Sequence, residues 1–171
     1  MYNIAIIGAG QIGSRHLQGI AKVGLGKSIY VVDPSEISLS IAKERCDEVL
    51  TDVSATEVQY ITSMSLLPVD IDYAVVSTSS DSRFRALTSL VGACRVKNVV
   101  LEKVLYTRYH DYENANRLLK LHNINAWVTC SSVLINALKG FSTPTSKCAI
   151  RPPNTRIHAA LPSHVVTQPT Y

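Results

Sequence analysis

The chain has 171 residues, 46% of them hydrophobic and 18% charged, which is an ordinary globular composition with room for one good-sized domain. No apolar run approaches the ~20 residues of a spanning helix, and the N-terminal residues do not have the basic start of a signal peptide, so we expect no membrane association. The net charge of +4 comes from residues 131–171, which hold four scattered basic residues and no acidic ones, and this pattern argues against nucleic-acid binding.

Short apolar runs alternate with helical patterns through the first 130 residues, as is typical of βα units around a parallel sheet. The first strand is predicted at Ile4–Ile7 and the second at Ile29–Val32, where Asp33-Pro34 ends it. Between them, apolar and small residues recur with the spacing of one helix face. That face comprises Gly13, Leu17, Ile20, Ala21 and Gly24.

A second helix is predicted from Ile37, Ile41 and Ala42, with Ser35 as its N-cap. The pattern of region 47–69 is weaker. We expect a short third strand near residues 48–50 and a turn of helix near 55–60.

Three more strands are predicted at Tyr73–Ser77, Asn98–Leu101 and Ala126–Thr129. Two helices are predicted between them, the first capped by Ser80 or Asp81. The inner face of that first helix is predicted to carry Phe84, Leu87, Val91 and Cys94, and the second helix is marked by Tyr112, Ala115, Leu119 and His122. Residues 1–130 are therefore predicted to form an α/β Rossmann domain, with a doubly wound, mostly parallel six-stranded sheet and helices on both faces.

Residues 131–171 differ in character from the rest of the chain. They contain five of the seven prolines and have little periodicity, so an irregular tail is expected. The change also suggests that the gene is truncated or frameshifted near codon 130. The four cysteines are widely spaced and include no C-x-x-C pair. Free thiols, a cytoplasmic location and the absence of a metal site are therefore predicted.

The segment IAIIGAGQIGSRHL (residues 4–17) places a G-x-G-x-x-G motif between a strand and a helix. In this motif Gly8 allows the tight turn, Gly10 lets the backbone approach a pyrophosphate, and Gly13 lets helix and strand pack closely. Gln11 and Ile12 open the helix, whose N-terminus offers free N–H groups to phosphates. The motif predicts dinucleotide binding, although glycines in such a turn also serve packing alone.

Asp33 ends the second predicted strand, 20 residues beyond Gly13. A carboxylate at that position accepts hydrogen bonds from the adenosine ribose hydroxyls and repels a 2′-phosphate, so NAD is preferred over NADP. Nearby basic residues can reverse this preference, and a turn-capping role for Asp33 before Pro34 stays open.

Three later segments extend the pattern: DYAVVSTSSDSRF (72–84), NVVLEKVLYTRY (98–109) and NINAWVTC (123–130). With the glycine motif and Asp33 in register, residues 2–130 resemble the N-terminal domain of the Gfo/Idh/MocA family, the glucose–fructose oxidoreductase and inositol dehydrogenase group. The resemblance implies hydride transfer between nicotinamide and a sugar, a polyol or a related hydroxy compound.

The resemblance also implies roles for particular residues. In the family an E-K-P motif follows the fifth strand, and its lysine assists proton movement near the nicotinamide. Here Glu102 and Lys103 match, whereas Val104 replaces the proline. Lys103 is thus the candidate catalytic residue, with a solvated surface lysine as the alternative. The loop after the fourth strand is expected to line the cofactor through Ser77, Thr78 and Ser79, or to be an ordinary turn.

Family members also carry a second domain with further catalytic residues, and residues 131–171 are too short to form one. The alternatives to an oxidoreductase domain are accordingly a noncatalytic NAD-binding module and an inactive truncated product. An open cleft with exposed apolar surface would also favour a homo-oligomer. His16 is expected to serve packing or the helix surface.

Overall fold

A computed structural model describes residues 1–50 and 56–129. These residues form one six-stranded sheet in which every pairing is parallel. The strands are β1 (Tyr2–Ile7), β2 (Lys27–Val32), β3 (Thr56–Ile61), β4 (Asp70–Val76), β5 (Arg95–Leu101) and β6 (Asn125–Val128). The helices are α1 (Gln11–Ala21), α2 (Glu36–Asp47), α3 (Arg83–Ala93) and α4 (Tyr109–Leu121), with a short 3₁₀ turn at Met64–Leu66.

The strand order is β3-β2-β1-β4-β5-β6, which reverses direction between β1 and β4. This is the doubly wound Rossmann topology, so the predicted fold is confirmed. Loops leaving β1 and β4 depart to opposite faces of the sheet, and the crevice between them at the carboxyl edge is where such folds bind ligands.

Each face of the sheet has its own hydrophobic core, because successive strand residues point to opposite sides. In β1, Ile6 packs into the core under α1 and α2, whereas Ala5 and Ile7 pack into the core under α3 and α4. All three β1 side chains are at most 2% exposed. A central strand covered on both faces is what the continuous apolar run predicted.

The prediction for region 47–69 is wrong. Residues 48–50 follow the end of α2, and β3 occupies Thr56–Ile61, where a turn of helix was expected. In β3, Val58 and Tyr60 are half-buried while Glu57 and Gln59 are exposed. This alternation is typical of an edge strand with one solvent-exposed face. Its polar residues are also compatible with a helix, so the sequence pattern does not reveal the strand.

The helix starts are partly as expected. The Ser35 hydroxyl accepts a hydrogen bond from the Ser38 N–H, so the predicted cap of α2 is confirmed. The predicted cap of α3 is wrong, since neither Ser80 nor Asp81 caps it. The N-cap is Ser82, whose side chain makes no capping hydrogen bond.

The buried helix faces also differ in detail. In α1 the predicted apolar face is buried as far as Ala21, where the helix ends, and Gly24 lies beyond it. In α3 the fully buried stripe begins one residue earlier than predicted. It comprises Arg83, Leu87 and Leu90 and continues to Cys94, the C-cap, whereas the predicted Phe84 and Val91 are half-buried.

Cys46 and Cys94 are buried free thiols, and burial raises the pKa of Cys94 to about 11. Cys130, Cys148 and the predicted irregular tail lie outside the described residues. Within the described part of the chain, no helix is long and apolar enough to cross a membrane. The same residues contain no group of three His, Cys, Asp or Glu side chains arranged to hold a metal ion.

Candidate functional site

The β1–α1 turn has the geometry that its glycines predicted. Gly8 has a φ of +97°, a conformation that side chains rarely adopt. A Cβ on Gly13 would overlap the Gly8 carbonyl oxygen and stand 2.8 Å from Ser77 Oγ, so only glycine lets α1 approach β1 and β4 this closely. At Gly10, no described atom beyond the glycine and its chain neighbours lies within 4 Å of where a Cβ would stand. The turn is therefore open on its Gly10 side.

The N-terminus of α1 faces this open space with its donors available. Gly10 is the N-cap, no side chain caps the helix in the described structure, and its first turn holds no acidic residue. Gln11 and Ile12 are exposed beside it. Unsatisfied N–H groups and the positive end of the helix dipole together make an anion site.

Asp33 lies next to the same turn and is held in place through both carboxylate oxygens. Oδ2 accepts a hydrogen bond from the Ala9 N–H at 2.8 Å, and Oδ1 accepts one from the Ser35 N–H at 2.9 Å. Each oxygen can accept a second hydrogen bond, so the carboxylate remains able to bind a ligand hydroxyl.

A cleft of about 360 Å³ lies at the carboxyl ends of β4 and β5, beside the start of α1. The structure brings together six of the predicted site residues in its lining, namely Ile12, Ser77, Thr78, Ser79, Glu102 and Lys103. It adds Ser80, Arg83 and Val104. The other predicted residues belong to the adjoining turn and to the end of β2, namely Gly8, Gly10, Gln11, Gly13 and Asp33.

The three hydroxyl residues after β4 have different surroundings. The Ser77 hydroxyl hydrogen is shared between the Ile7 and Gly8 carbonyls and so ties the glycine turn to β4. Ser79 Oγ lies 2.8 Å from Ser82 Oγ, which closes a local turn. Thr78 Oγ1 is buried and has no hydrogen-bond partner among the described residues. Thr78 thus lines the cleft, while its hydroxyl is covered by protein and is not exposed to the cleft.

Lys103 is exposed at the cleft rim, and its side chain has no acidic partner within ion-pair distance in the described part of the chain. The peptide bond between Lys103 and Val104 is cis. The Lys103 N–H donates to Glu102 Oε2 at 3.2 Å. An ammonium with no acidic partner beside a cleft is available to a ligand hydroxyl.

Comparison with known proteins identifies the family of this fold. The sequence model of the Gfo/Idh/MocA oxidoreductase family, NAD-binding Rossmann fold, matches residues 2–129. The chain belongs to this family. No curated protein matches the sequence significantly.

Solved structures of Gfo/Idh/MocA dehydrogenases share the fold. The WlbA dehydrogenase of Chromobacterium violaceum, in complex with NADH and UDP-GlcNAcA, is 20% identical with a TM-score of 0.58, over 75% of this chain and 34% of that one. The Bordetella pertussis WlbA, with the same two ligands, is 20% identical with a TM-score of 0.58, over 74% and 36%. The UDP-N-acetylglucosamine 3-dehydrogenase GnnA of Acidithiobacillus ferrooxidans is 16% identical with a TM-score of 0.56, over 74% and 38%. The match thus spans about a third of the length of these proteins.

Sequence reasoning missed what His16 does in this Gfo/Idh/MocA domain. His16 is 8% exposed and its Nε2 lies 2.7 Å from Glu102 Oε1, so a helix-surface role is wrong. Burial raises the pKa of Glu102, but favourable contacts led by the hydrogen bond with His16 outweigh burial and the net shift is downward. An ionised carboxylate only accepts, so Nε2 carries the proton. The pair joins α1 to the end of β5, directly before Lys103.

Replacing Glu102 with glutamine is expected to lower the free energy of unfolding by about 1–2 kcal/mol at pH 7, because its bond to His16 becomes neutral. The folded-state pKa of Glu102 lies below its ordinary value of 4.5. Its stabilising contribution is therefore complete above that value and is lost as pH falls below it. Urea unfolding between pH 7 and about pH 3 should show that the difference in free energy of unfolding between wild type and variant decreases as the pH falls.

The control for this experiment is Glu113→Gln, on the exposed surface of α4. It removes an equal charge that has no buried partner. The free energy of unfolding and its dependence on acid pH should therefore stay as in wild type. A gap between wild type and Glu102→Gln that stays constant over the whole pH range would contradict the assignment.

Arg83 is the second residue that sequence reasoning missed. It is 3% exposed and lies under the cleft as the first residue of α3. A signal was present, because Arg83 stands at helical spacing from Leu87 and Leu90 on the apolar stripe. A charged residue on such a stripe must find hydrogen-bond acceptors inside the protein.

Proposed function

We propose that this domain binds NAD across the crevice between β1 and β4 as part of a hydride-transferring oxidoreductase. The observation that carries the proposal is the open space at Gly10, directly before the uncapped N-terminus of α1. A pyrophosphate fits that space, where backbone N–H groups would bind it. The nicotinamide end would then lie in the cleft, against the loop of Ser77, Thr78 and Ser79.

The surroundings of Asp33 support NAD rather than NADP. Its two hydrogen bonds to backbone N–H groups hold the carboxylate where the adenosine ribose hydroxyls would lie. The residues that follow are Pro34, Ser35 and Glu36, none of them basic. A 2′-phosphate would therefore meet the negative charge of Asp33, and the next three residues would offer it no cation.

The chemistry that we propose for Lys103 is proton handling at a substrate hydroxyl. When bound, the nicotinamide supplies the hydride acceptor or donor. The Lys103 ammonium would donate a hydrogen bond to the oxygen of the reacting hydroxyl and stabilise the developing alkoxide, while the hydroxyl proton passes to water. UDP-GlcNAcA in the WlbA structures supports a sugar-like hydroxy compound as the substrate class.

Calorimetric titration with NAD and with NADP tests the cofactor assignment. Wild type should bind NAD more tightly. Asp33→Asn keeps the shape of the side chain and removes its charge, so the NAD-to-NADP affinity ratio should fall about tenfold, the equivalent of one lost charge interaction of about 1.4 kcal/mol.

The matched control is Glu36→Gln, the same loss of charge at the exposed first residue of α2. Its NAD-to-NADP ratio should equal that of wild type. Equal or tighter binding of NADP to wild type would contradict the preference, and no binding of either would contradict the proposed function. NAD binding without turnover of any sugar or polyol would favour a noncatalytic module.

A further inference from the structure

The guanidinium of Arg83 is buried beneath the cleft without a carboxylate within ion-pair distance in the described structure. Burial lowers the pKa of Arg83, and the negative charge of Glu102 opposes this shift. An arginine nevertheless stays protonated in proteins, so its charge has to be satisfied by acceptors around it.

Those acceptors are four backbone carbonyls on two separate loops. Nη2 donates to the Thr78 carbonyl, in the loop between β4 and α3. The two N–H groups of Nη1 are shared among the carbonyls of Glu102, Val104 and Leu105, in the turn between β5 and α4. The bond to Glu102 is 2.6 Å long and the bond to Leu105 is 3.1 Å long. One side chain thus joins the two loops that border the cleft.

Two of these hydrogen bonds are made to the residues directly before and after Lys103 in the chain. Nη1 binds the carbonyls of both its neighbours, Glu102 and Val104, while the Glu102 carboxylate is held by His16. The backbone at Lys103 is therefore fixed from beneath by Arg83, and its side chain is left to the cleft. The same guanidinium holds the carbonyl of Thr78, a residue that also lines the cleft.

We propose that Arg83 is a positioning residue that sets Lys103 and Thr78 against the nicotinamide end of the dinucleotide. The inference rests on the proposed function for the identity of the ligand. It rests on the four hydrogen bonds for the geometry. Lysine cannot replace Arg83, because a single ammonium lacks the planar fork that reaches both loops at once.

Two measurements on Arg83→Lys test the proposal. The first is the ratio of NADH affinity to ADP-ribose affinity, which isolates the nicotinamide end because ADP-ribose lacks that ring. The ratio should fall about tenfold toward unity, while ADP-ribose affinity stays within about twofold of wild type. The second is hydrogen–deuterium exchange, which should accelerate in residues 77–80 and 102–106 and not in residues 8–14.

The control is Arg85→Lys, two residues along α3 on its exposed surface. It makes the same substitution without a buried partner and should change neither measurement. If Arg83→Lys is too unstable to purify, Arg83→Gln replaces it, since the neutral side chain leaves no unpaired charge beneath the cleft.

The outcomes separate this inference from the proposed function. An unchanged NADH-to-ADP-ribose ratio, or an equal loss of both affinities, overturns the positioning role. Wild type that binds neither ligand overturns the proposed function, and the role of Arg83 at the nicotinamide falls with it. Unchanged exchange in both loops shows that Arg83 does not hold them, and overturns the inference whatever the ligand results.

Discussion

Replacing Gly10 with leucine is expected to abolish dinucleotide binding and to leave the fold in place. Gly10 has φ −63° and ψ −170°, which any residue adopts, and no described atom beyond the glycine and its chain neighbours lies within 4 Å of its Cβ position. The Cβ of the new side chain therefore has open space beside it. The leucine side chain occupies the space proposed for the pyrophosphate. The binding free energy of NAD should therefore weaken by about 3 kcal/mol or more, which lowers the affinity at least about 100-fold.

Calorimetric titration with NAD measures the loss, and circular dichroism with thermal unfolding checks the fold. Leucine is a poorer N-cap than glycine, so a decrease of about 1 kcal/mol in the free energy of unfolding is expected. Gly19→Leu is the matched control, because Gly19 is also exposed on α1 and has open space at its Cβ position. It should bind NAD as wild type does. Undiminished NAD binding by Gly10→Leu would place the ligand elsewhere.

Replacing Gly13 with alanine is expected to act on the fold instead. A single added methyl group should lower the free energy of unfolding. The added Cβ would overlap the Gly8 carbonyl oxygen, approach the Gly8 carbonyl carbon to 2.9 Å and lie 2.8 Å from Ser77 Oγ. Two of these atoms belong to a backbone turn whose Gly8 has φ +97°, so relief requires the turn or α1 to move. Overpacking of this kind costs about 3 kcal/mol.

Thermal and urea unfolding measure this effect, and a decrease in Tm of about 10 °C is expected. Gly92→Ala is the control, since Gly92 lies in α3 with no described atom within 4 Å of its Cβ position. Alanine should stabilise that helix by about 0.5–1 kcal/mol, so the two identical substitutions are expected to differ in sign. Equal stability of Gly13→Ala and wild type would contradict the close approach of α1.

The core of the fold and the glycine turn were predictable from the sequence because their signals are local. The apolar run Ile4–Ile7 marks a strand covered on both faces, and the G-x-G-x-x-G motif marks the turn that follows. The positive φ of Gly8 and the close packing at Gly13 confirm the structural half of that interpretation. The binding half stays a prediction, as does the role of Lys103.

Strand β3 could not be located from the sequence, since an edge strand exposes one face and its polar residues weaken the periodic signal. The site's internal connections also depended on the fold. His16 and Glu102 are 86 residues apart in the chain, and only the order β1-β4-β5 brings α1 to the end of β5.

The sequence by itself therefore determined the domain type, the glycine turn and the candidate acid and lysine, because those features depend on neighbours in the chain. The tertiary structure decided what the buried charges do. In the sequence, Arg83 is only a charged residue on an apolar helix stripe. In the fold, the β5–α4 turn lies against it and supplies the carbonyls that accept its hydrogen bonds. A buried charge is satisfied only by groups that long-range packing brings to it, and a linear pattern does not specify them.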